Sequence, residues 1–185
     1  MTTDDVYLRE ISYKIAVFLG ALWIIWYFRR FILHHTYKRF YAWALSRLVR
    51  RLNRGMRREK RKLFQTMHQY QGSINKGLKV LEVGSGSAAN IDFFPYNTEL
   101  VCLDPNPHFV GYVKKNLKKG ETVVKAEIVQ GYAEDIPFEQ DSFDVVVCTM
   151  VLCTVGDPEK SIKEARRVLK PVCLASSLFD KYRSI

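Results

Sequence analysis

The chain has 185 residues, of which 48% are hydrophobic and 26% are charged, with 10 Gly and 6 Pro. These values exclude a disordered chain, a collagen-like chain and a protein with several membrane spans, and the length suits one domain with an extension. The four cysteines are scattered and form no C-x-x-C pair, which excludes a disulfide scaffold, and no metal site is predicted.

The net charge of +10 comes from the first third of the chain. Residues 1–62 hold 15 Lys and Arg against 4 Asp and Glu, whereas residues 63–185 hold 14 against 15. We therefore expect a hydrophobic membrane anchor over residues 1–35, a basic amphipathic helical linker over residues 36–70, and a nearly neutral domain over residues 71–185. Because such a domain offers no basic groove, no nucleic-acid partner is predicted.

An uncharged apolar run of 14 residues, 15–28, dominates the N-terminal region. As a helix it is about 21 Å long, which is short for a hydrocarbon core of about 30 Å, so a tilted span and a helix lying in the interface both fit. Aromatic residues gather at its basic end, as they do at a headgroup boundary. A cleaved signal peptide and a buried core helix are the alternatives, although acidic residues precede the run and no small-residue cleavage site follows it.

Residues 36–64 repeat apolar side chains at helical spacing, with Lys and Arg at many of the other positions. A basic amphipathic helix beside an apolar anchor fits an anionic lipid surface, so we expect contact with membrane lipid through residues 11–62. The positive-inside tendency places the rest of the chain on the cytosolic side. An ordinary packed helix and a nucleic-acid arm are the alternatives for this segment.

From residue 77 onward, short apolar runs alternate with helical patterns. The predicted strands are 78–83, 99–103, 123–130 and 143–149. The predicted helices are 88–94, 107–118 and 158–169, the last with Asp157 as its N-cap and Pro158 at its first position. This alternation predicts an α/β fold with a parallel sheet that is covered by helices on both faces.

The ends of the predicted strands carry residues suited to a ligand, which in a parallel sheet binds at the carboxyl edge. Gly84 and Gly86 allow a tight turn and a close approach of the backbone, and Asp104 follows the second strand at the usual distance for an acid that binds ribose hydroxyls. The polar turn of residues 133–138 could face an adenine edge. Glu82 favours a cationic amino-acid ligand over a dinucleotide pyrophosphate, while a nicotinamide-dependent oxidoreductase and a turn without ligand stay as alternatives.

Several of these segments together resemble the ordered motifs of class I S-adenosylmethionine-dependent methyltransferases. The motifs are LEVGSG at 81–86, Asp104, AEDIPF at 133–138 and DSFDVVV at 141–147. The resemblance is closer to one group of that class, the methyltransferase-like seven family of membrane-anchored thiol S-methyltransferases, through DPNP at 104–107 and VVCTMVLCTV at 146–155. It implies a Rossmann-like sheet, transfer of a methyl group from S-adenosylmethionine to a small lipophilic thiol, and a location at the endoplasmic reticulum or lipid droplets.

The resemblance also implies roles for individual residues. Glu82 would accept a hydrogen bond from the methionine ammonium, and Asp104 would bind the ribose with Asn106 beside it. The other implied cofactor-binding residues are Gly84, Ser85 and Gly86 at the methionine part, Ala133, Glu134 and Asp135 at the adenine, and Cys148 and Thr149 at the floor of the site. No catalytic base is predicted, because a thiol of pKa ~8.5 already holds a few per cent thiolate at neutral pH.

The chain departs from the family pattern in three places. Ala88 stands where the third glycine of the loop is usual, and Tyr132 stands where many class I enzymes have an acid. Family members continue after residue 171 with three further strands, whereas here only residues 172–176 could form a fifth strand. We therefore expect a C-terminally truncated sheet of four or five parallel strands with weak or no catalysis. The alternative is a non-catalytic membrane-bound module that keeps only the cofactor-binding half of the fold.

Overall fold

The computed structural model describes residues 3–171, with the side chains of residues 3–8, 11 and 30–35 outside that description. The helices are α1 (Thr3–Gly55), α2 (Arg57–Ile74), α3 (Val110–Leu117) and α4 (Pro158–Val168). The strands are β1 (Leu78–Val83), β2 (Thr98–Leu103), β3 (Val123–Val129) and β4 (Val145–Cys148). Two compact units divide the chain, one ending at Tyr41 and the other beginning at Ala42.

The first unit consists of the N-terminal part of α1, and the large apolar side chains described in it are exposed. They include Ile15, Val17, Phe18, Leu19, Leu22, Trp23, Ile24, Ile25, Trp26, Tyr27 and Phe28. Within residues 3–171, no helix combines the length and the apolar character that crossing a membrane requires. Because α1 continues through residue 35, no break in the helix marks the predicted end of the anchor. The division into an anchor, a linker and a domain at residues 1–35, 36–70 and 71–185 stays a prediction.

The second unit is built on a parallel sheet in the order β3-β2-β1-β4. β1 lies at its centre, pairing with β2 from Leu78 opposite Thr98 to Val83 opposite Leu103, and with β4 from Val80 opposite Val145. β2 pairs with β3 on its other side. The predicted α/β fold with a parallel sheet is therefore confirmed.

Alternate residues of the central strands pack into two separate hydrophobic clusters, one on each face of the sheet. On one face, Leu78 and Val80 of β1 pack in a cluster with Phe64 of α2 and Val113 of α3. The opposite cluster joins β1 and β2 to α4, through Leu81, Val83, Val101, Leu103, Ala165 and Val168. Because α2 and α3 cover one face and α4 the other, the central strands are covered on both sides, as expected. β3 is an edge strand, and its Val124 is 61% exposed.

The sheet is extended beside β4 by the segment that follows α4. Phe143 forms a parallel bridge with Leu169, and the Lys170 amide donates to the Phe143 carbonyl at 3.0 Å. The predicted fifth strand at 172–176 lies outside the described residues.

The prediction of a helix over residues 88–94 is wrong. The chain instead forms turns followed by a short 3₁₀ helix, Ile91–Phe93. Ala88 has a φ of 53°, a left-handed conformation that a right-handed helix cannot include. The other two predicted helices are present, although the one at 107–118 begins with a 3₁₀ turn, Pro107–Phe109. Asp157 caps α4 as expected, its carboxylate accepting from the Lys160 amide at 2.9 Å.

Phe64 tests how firmly α2 is held on the sheet. Its ring is 3% exposed and lies 5.6 Å from the ring of Phe93 and 5.4 Å from that of Phe94 between centroids. We expect Phe64→Ala to lower the free energy of unfolding by about 3–5 kcal/mol, because it leaves a cavity in the cluster. Chemical denaturation followed by circular dichroism measures this. The exposed neighbour Gln65→Ala is the control, and equal stability of the two variants would contradict the packing described.

Candidate functional site

The loop that follows β1 turns at two glycines whose backbone conformation disfavours other residues. Gly84 has a φ of 62° and Gly86 a φ of 51°. A Cβ at Gly84 would overlap the side chain of Val151, which follows β4. Between the glycines, the Ser85 amide donates to the carbonyl of Leu103 at 3.1 Å and so fastens the loop to the end of β2.

Asp104, which follows β2, holds this loop with its carboxylate. Its Oδ2 accepts from the Gly86 amide and its Oδ1 from the Asn106 amide, both at 2.9 Å. Burial raises the pKa of Asp104 above its usual range, although the two amides lower it in part. Each carboxylate oxygen keeps a second lone pair for a ligand, so two hydroxyl groups of a sugar could bind here.

Glu82, near the end of β1, is the most deeply buried carboxyl of the site, at 1% exposure. Its Oε1 accepts from Nδ2 of Asn90 at 2.6 Å, while its Oε2 has no hydrogen-bond partner in the described part of the chain. Burial is the main cause that raises the pKa of Glu82 to about 7, with Asp104 adding to the rise and Asn90 and Lys60 opposing it. An unpartnered buried carboxylate oxygen costs free energy that a bound cation would recover.

Three polar residues around Glu82 were missed by the sequence reasoning. Asn90 also donates to Oγ1 of Thr149 at 2.8 Å, and it accepts from Nζ of Lys60 at 2.6 Å. Lys60 donates as well to Oδ1 of Asn53, near the end of α1. One signal was available: Lys60 precedes Phe64 by four residues, so it falls on the apolar face of α2, where an unpaired lysine is not expected.

The turn after β3 contains the residues predicted to contact adenine. Ala133 is buried in the cluster under α4, and Asp135 is exposed. Oε1 of Glu134 accepts from the amides of Gly156 at 2.7 Å and Asp157 at 3.3 Å. The pKa of Glu134 lies below its usual range. Burial acts to raise it, but the hydrogen bonds from backbone amides lower it by more. Glu134 thus ties this turn to the segment before α4, and the adenine role of the three residues stays a prediction.

The end of β4 supplies the remaining predicted residues. Cys148 pairs with Val83 of β1 and is half-buried, as is Thr149. Burial first, and then the charge of Glu82, raise the pKa of Cys148 to about 12, so this thiol stays neutral near pH 7. Asn106, after β2, accepts from the His108 amide at 3.1 Å and begins the 3₁₀ turn.

The structure therefore gathers most of the predicted site residues at the carboxyl ends of β1, β2 and β4. Hydrogen bonds and strand pairing link them into two groups. One group is formed by Gly84, Ser85, Gly86, Asp104 and Asn106. The other is formed by Glu82, Cys148 and Thr149, which Asn90 and the pairing of β1 with β4 hold together.

Comparison with known proteins identifies the family. The profile of the methyltransferase domain matches residues 81–174, about half of the chain. The chain belongs to this family. Its members' cofactor is S-adenosylmethionine, and the resemblance drawn from the motifs is confirmed.

Two human relatives agree with this assignment. Thiol S-methyltransferase TMT1B of Homo sapiens is 38% identical over 135 residues, and thiol S-methyltransferase TMT1A of Homo sapiens is 36% identical over 135 residues. Each match covers 72% of this chain and 55% of the relative, so the chain spans about half the length of the curated relatives it matches. The crystal structure of the YcgJ protein of Bacillus subtilis has 28% identity and a TM-score of 0.46, over 51% of this chain and 40% of that one.

The site of this methyltransferase domain fits its cofactor in two independent respects. Within residues 3–171, Oε2 of Glu82 has no partner, so this buried negative charge needs a cation, and the cofactor's amino acid carries an ammonium group. The second lone pairs of Asp104 and the open backbone of Gly86 suit a ribose with two adjacent hydroxyls. The nicotinamide-dependent alternative lacks this support, because a pyrophosphate would bring negative charge toward Glu82.

Glu82 makes the stability of the cofactor-free protein depend on pH. Its pKa is about 7 in the fold and about 4.5 when solvated, so its stabilising contribution is present below the lower value and is lost as pH rises through the upper one. We expect Glu82→Gln to remove this loss and to be more stable than the wild type by about 3 kcal/mol near pH 8. Urea denaturation from about pH 5 to about pH 8 measures the difference.

The matched control is Glu99→Gln, which changes an exposed carboxyl on β2. It should leave the pH profile of the wild type unchanged. If the free energy of unfolding changed with pH in the same way in the wild type and in Glu82→Gln, the pKa of Glu82 would not be raised in the fold.

Proposed function

We propose that this chain is an S-adenosylmethionine-dependent methyltransferase that methylates small lipophilic thiols at a membrane surface. The observation that carries the cofactor part of the proposal is that Oε2 of buried Glu82 has no partner among the described residues, while Asp104 acts on Glu82 electrostatically and keeps lone pairs for a sugar. The thiol acceptor is supported by the names of the human relatives, which are thiol S-methyltransferases.

The residues of the site would bind and orient the cofactor rather than act as a general acid or base. When bound, the cofactor would supply the methyl group of a sulfonium; transfer to a thiolate would form a carbon–sulfur bond on the acceptor and break the methyl–sulfonium bond, which leaves a neutral thioether in the cofactor. Glu82 would hold the ammonium end and Asp104 the ribose, so both ends of the amino-acid–ribose part are fixed. The thiol proton goes to solvent, since none of the site carboxyls needs to accept it.

The surroundings of the site suit an apolar acceptor. Tyr132 follows β3 and is 64% exposed, and Met150 follows β4 and is 57% exposed. Half-buried Val151 lies against Gly84. These apolar side chains at the carboxyl edge support a lipophilic thiol rather than a charged one.

Asp104→Ala tests the cofactor site. It removes the acceptors for the Gly86 and Asn106 amides and for the ribose, and we expect the affinity for S-adenosylmethionine to fall on the order of 10–100-fold. Isothermal titration calorimetry on the full chain measures it, with Glu99→Ala on the preceding strand, β2, as the control. Equal affinity of Asp104→Ala and the wild type would reject the ribose assignment, and a methylation assay with an alkyl thiol tests the acceptor separately.

We also propose that residues 11–62 attach the protein to an anionic membrane. The exposed apolar side chains between residues 13 and 28 would bury in the lipid interface, since so large an exposed apolar surface is rare on a soluble protein. In the second unit, a surface cleft of about 620 Å³ between the end of α1 and α2 is lined largely by basic residues: Arg54, Arg57, Arg58, Arg61 and Lys62. Such a cluster favours lipid headgroups with negative charge.

The proposed attachment to a membrane also suggests where in the cell the protein acts. The basic residues after the apolar run favour the cytosolic face of a membrane. The family resemblance supports the endoplasmic reticulum or lipid droplets as that membrane.

Vesicle flotation tests the attachment. We expect the full chain to bind vesicles of phosphatidylcholine and phosphatidylserine, with less binding as salt screens the charges. Replacing Arg57, Arg58 and Arg61 by Gln should weaken binding roughly a hundredfold, at about 1 kcal/mol for each Arg. The control replaces three exposed lysines of α3 and its end by Gln, Lys114, Lys115 and Lys118. Equal weakening in both variants, or none in the first, would contradict a role for the cleft.

A further inference from the structure

A buried lysine and a buried carboxylate are joined across a single side-chain amide. Nζ of Lys60 donates to Oδ1 of Asn90 at 2.6 Å, and Nδ2 of Asn90 donates to Oε1 of Glu82 at 2.6 Å. Lys60 is 6% exposed and Glu82 is 1% exposed. Lysine and glutamate are seldom buried so deeply unless they are paired, so the arrangement calls for an explanation.

We propose that Lys60 is a positioning residue for the cofactor, and that it acts through Asn90 to keep Glu82 charged and oriented with Oε2 free for the ammonium group. The inference rests on the proposed function, because it explains how Glu82, the carboxylate proposed to bind the ammonium group, is kept charged and oriented. It also assigns a role in the cofactor site to α2, which lies before the matched methyltransferase domain in sequence.

The direction of the hydrogen bonds supports this role. The carbonyl end of the Asn90 amide meets the cation and the amino end meets the anion, so the amide dipole is aligned with both charges. The second N–H of Asn90 donates to Oγ1 of Thr149 at 2.8 Å, which fixes the plane of the amide. Asn90 therefore occupies only Oε1 of Glu82 and leaves Oε2 unpartnered among the described residues.

The strand pattern brings Glu82 under α2. Residues 78, 80 and 82 alternate along β1, and Leu78 and Val80 belong to the cluster that contains Phe64 of α2. Lys60 lies one turn before Phe64 on the same helix, so its side chain projects from the packed face of α2 and meets Asn90, the residue that donates to Glu82.

The charges around Glu82 give Lys60 a defined electrostatic effect. The facing titratable groups are Lys60 on α2, Asp104 after β2, Cys102 on β2 and Cys148 on β4. Lys60 lowers the pKa of Glu82 and Asp104 raises it, while burial keeps both thiols neutral. Without Lys60, Glu82 would hold its proton to a higher pH and bind an ammonium group less well near neutrality.

Asn53 extends the connection to α1. Its Oδ1 accepts from Lys60 at 2.6 Å, and its Nδ2 donates to the carbonyl of Ala89 at 2.7 Å, one residue before Asn90. The end of α1, the start of α2 and the loop after β1 are thus held around one ammonium group. Cofactor affinity would therefore depend on how α1 and α2 pack against the loop that follows β1.

The test is calorimetric titration of S-adenosylmethionine onto the full chain from about pH 6 to about pH 9, a range that spans the pKa of Glu82. We expect Lys60→Met to lower the affinity about fivefold to tenfold near pH 7 and to recover much of it at higher pH, as the Glu82 titration shifts upward. Lys60→Arg should restore most of the affinity because it keeps the charge. Lys163→Met, at an exposed lysine of α4, should match the wild type.

A double-mutant cycle separates an effect through Asn90 from a general loss of structure. If Lys60 acts through Asn90, Lys60→Met should cost less affinity in the Asn90→Ala background than in the wild type, where only the effect of its charge on Glu82 across space is left to lose. Additive losses, or an affinity loss in Lys60→Met that is the same at every pH, would overturn the inference. A wild type that does not bind S-adenosylmethionine would overturn the proposed function instead.

A second measurement needs no cofactor. The pH range over which the stability of the protein falls should extend to higher pH in Lys60→Met than in the wild type, because Glu82 stays protonated longer. An unchanged range would overturn the link between Lys60 and Glu82 even if the cofactor site itself were correct.

Discussion

The burial of one carboxylate at the carboxyl edge of the sheet constrains the rest of this structure. Glu82 is 1% exposed, one of its oxygens has no partner in residues 3–171, and its pKa is raised to about 7. A fold accepts such a group only where a binding partner or a nearby counter-charge compensates for it. Asn90 and Lys60 supply part of that compensation, and we propose that a cationic ligand at Oε2 supplies the rest.

The parallel sheet brings the two halves of the site together. Because β1 lies between β2 and β4, the ends of all three strands meet around the loop of Gly84 and Gly86. Asp104 fixes that loop through the Gly86 amide, and Glu82 alternates along β1 with Leu78 and Val80 of the cluster that α2 covers. The sheet topology therefore fixes the position of the site, and Lys60 of α2, a helix before the matched domain, lowers the pKa of Glu82.

The sequence was sufficient to predict the strands and to select residues that the structure gathers at one edge of the sheet, because apolar runs that end in Gly or Asp are local signals. The binding roles of those residues stay predictions. The sequence failed at residues 88–94, where the alternation of strands and helices predicted a helix but Ala88 adopts a left-handed conformation and Asn90 donates to Glu82. It also missed Lys60 and Asn53, because their roles arise from contacts with a loop about 30 residues away or more. No short-range pattern encodes such contacts, apart from the placement of Lys60 on the apolar face of α2.

A crystal structure of the full chain with S-adenosylhomocysteine, the product of methyl transfer, tests the central claim most directly. The account predicts that the ligand's ammonium group lies within hydrogen-bond distance of Oε2 of Glu82, and that both ribose hydroxyls donate to Asp104. A ligand whose amino-acid end lies away from Glu82, with Oε2 still unpartnered, would contradict the account.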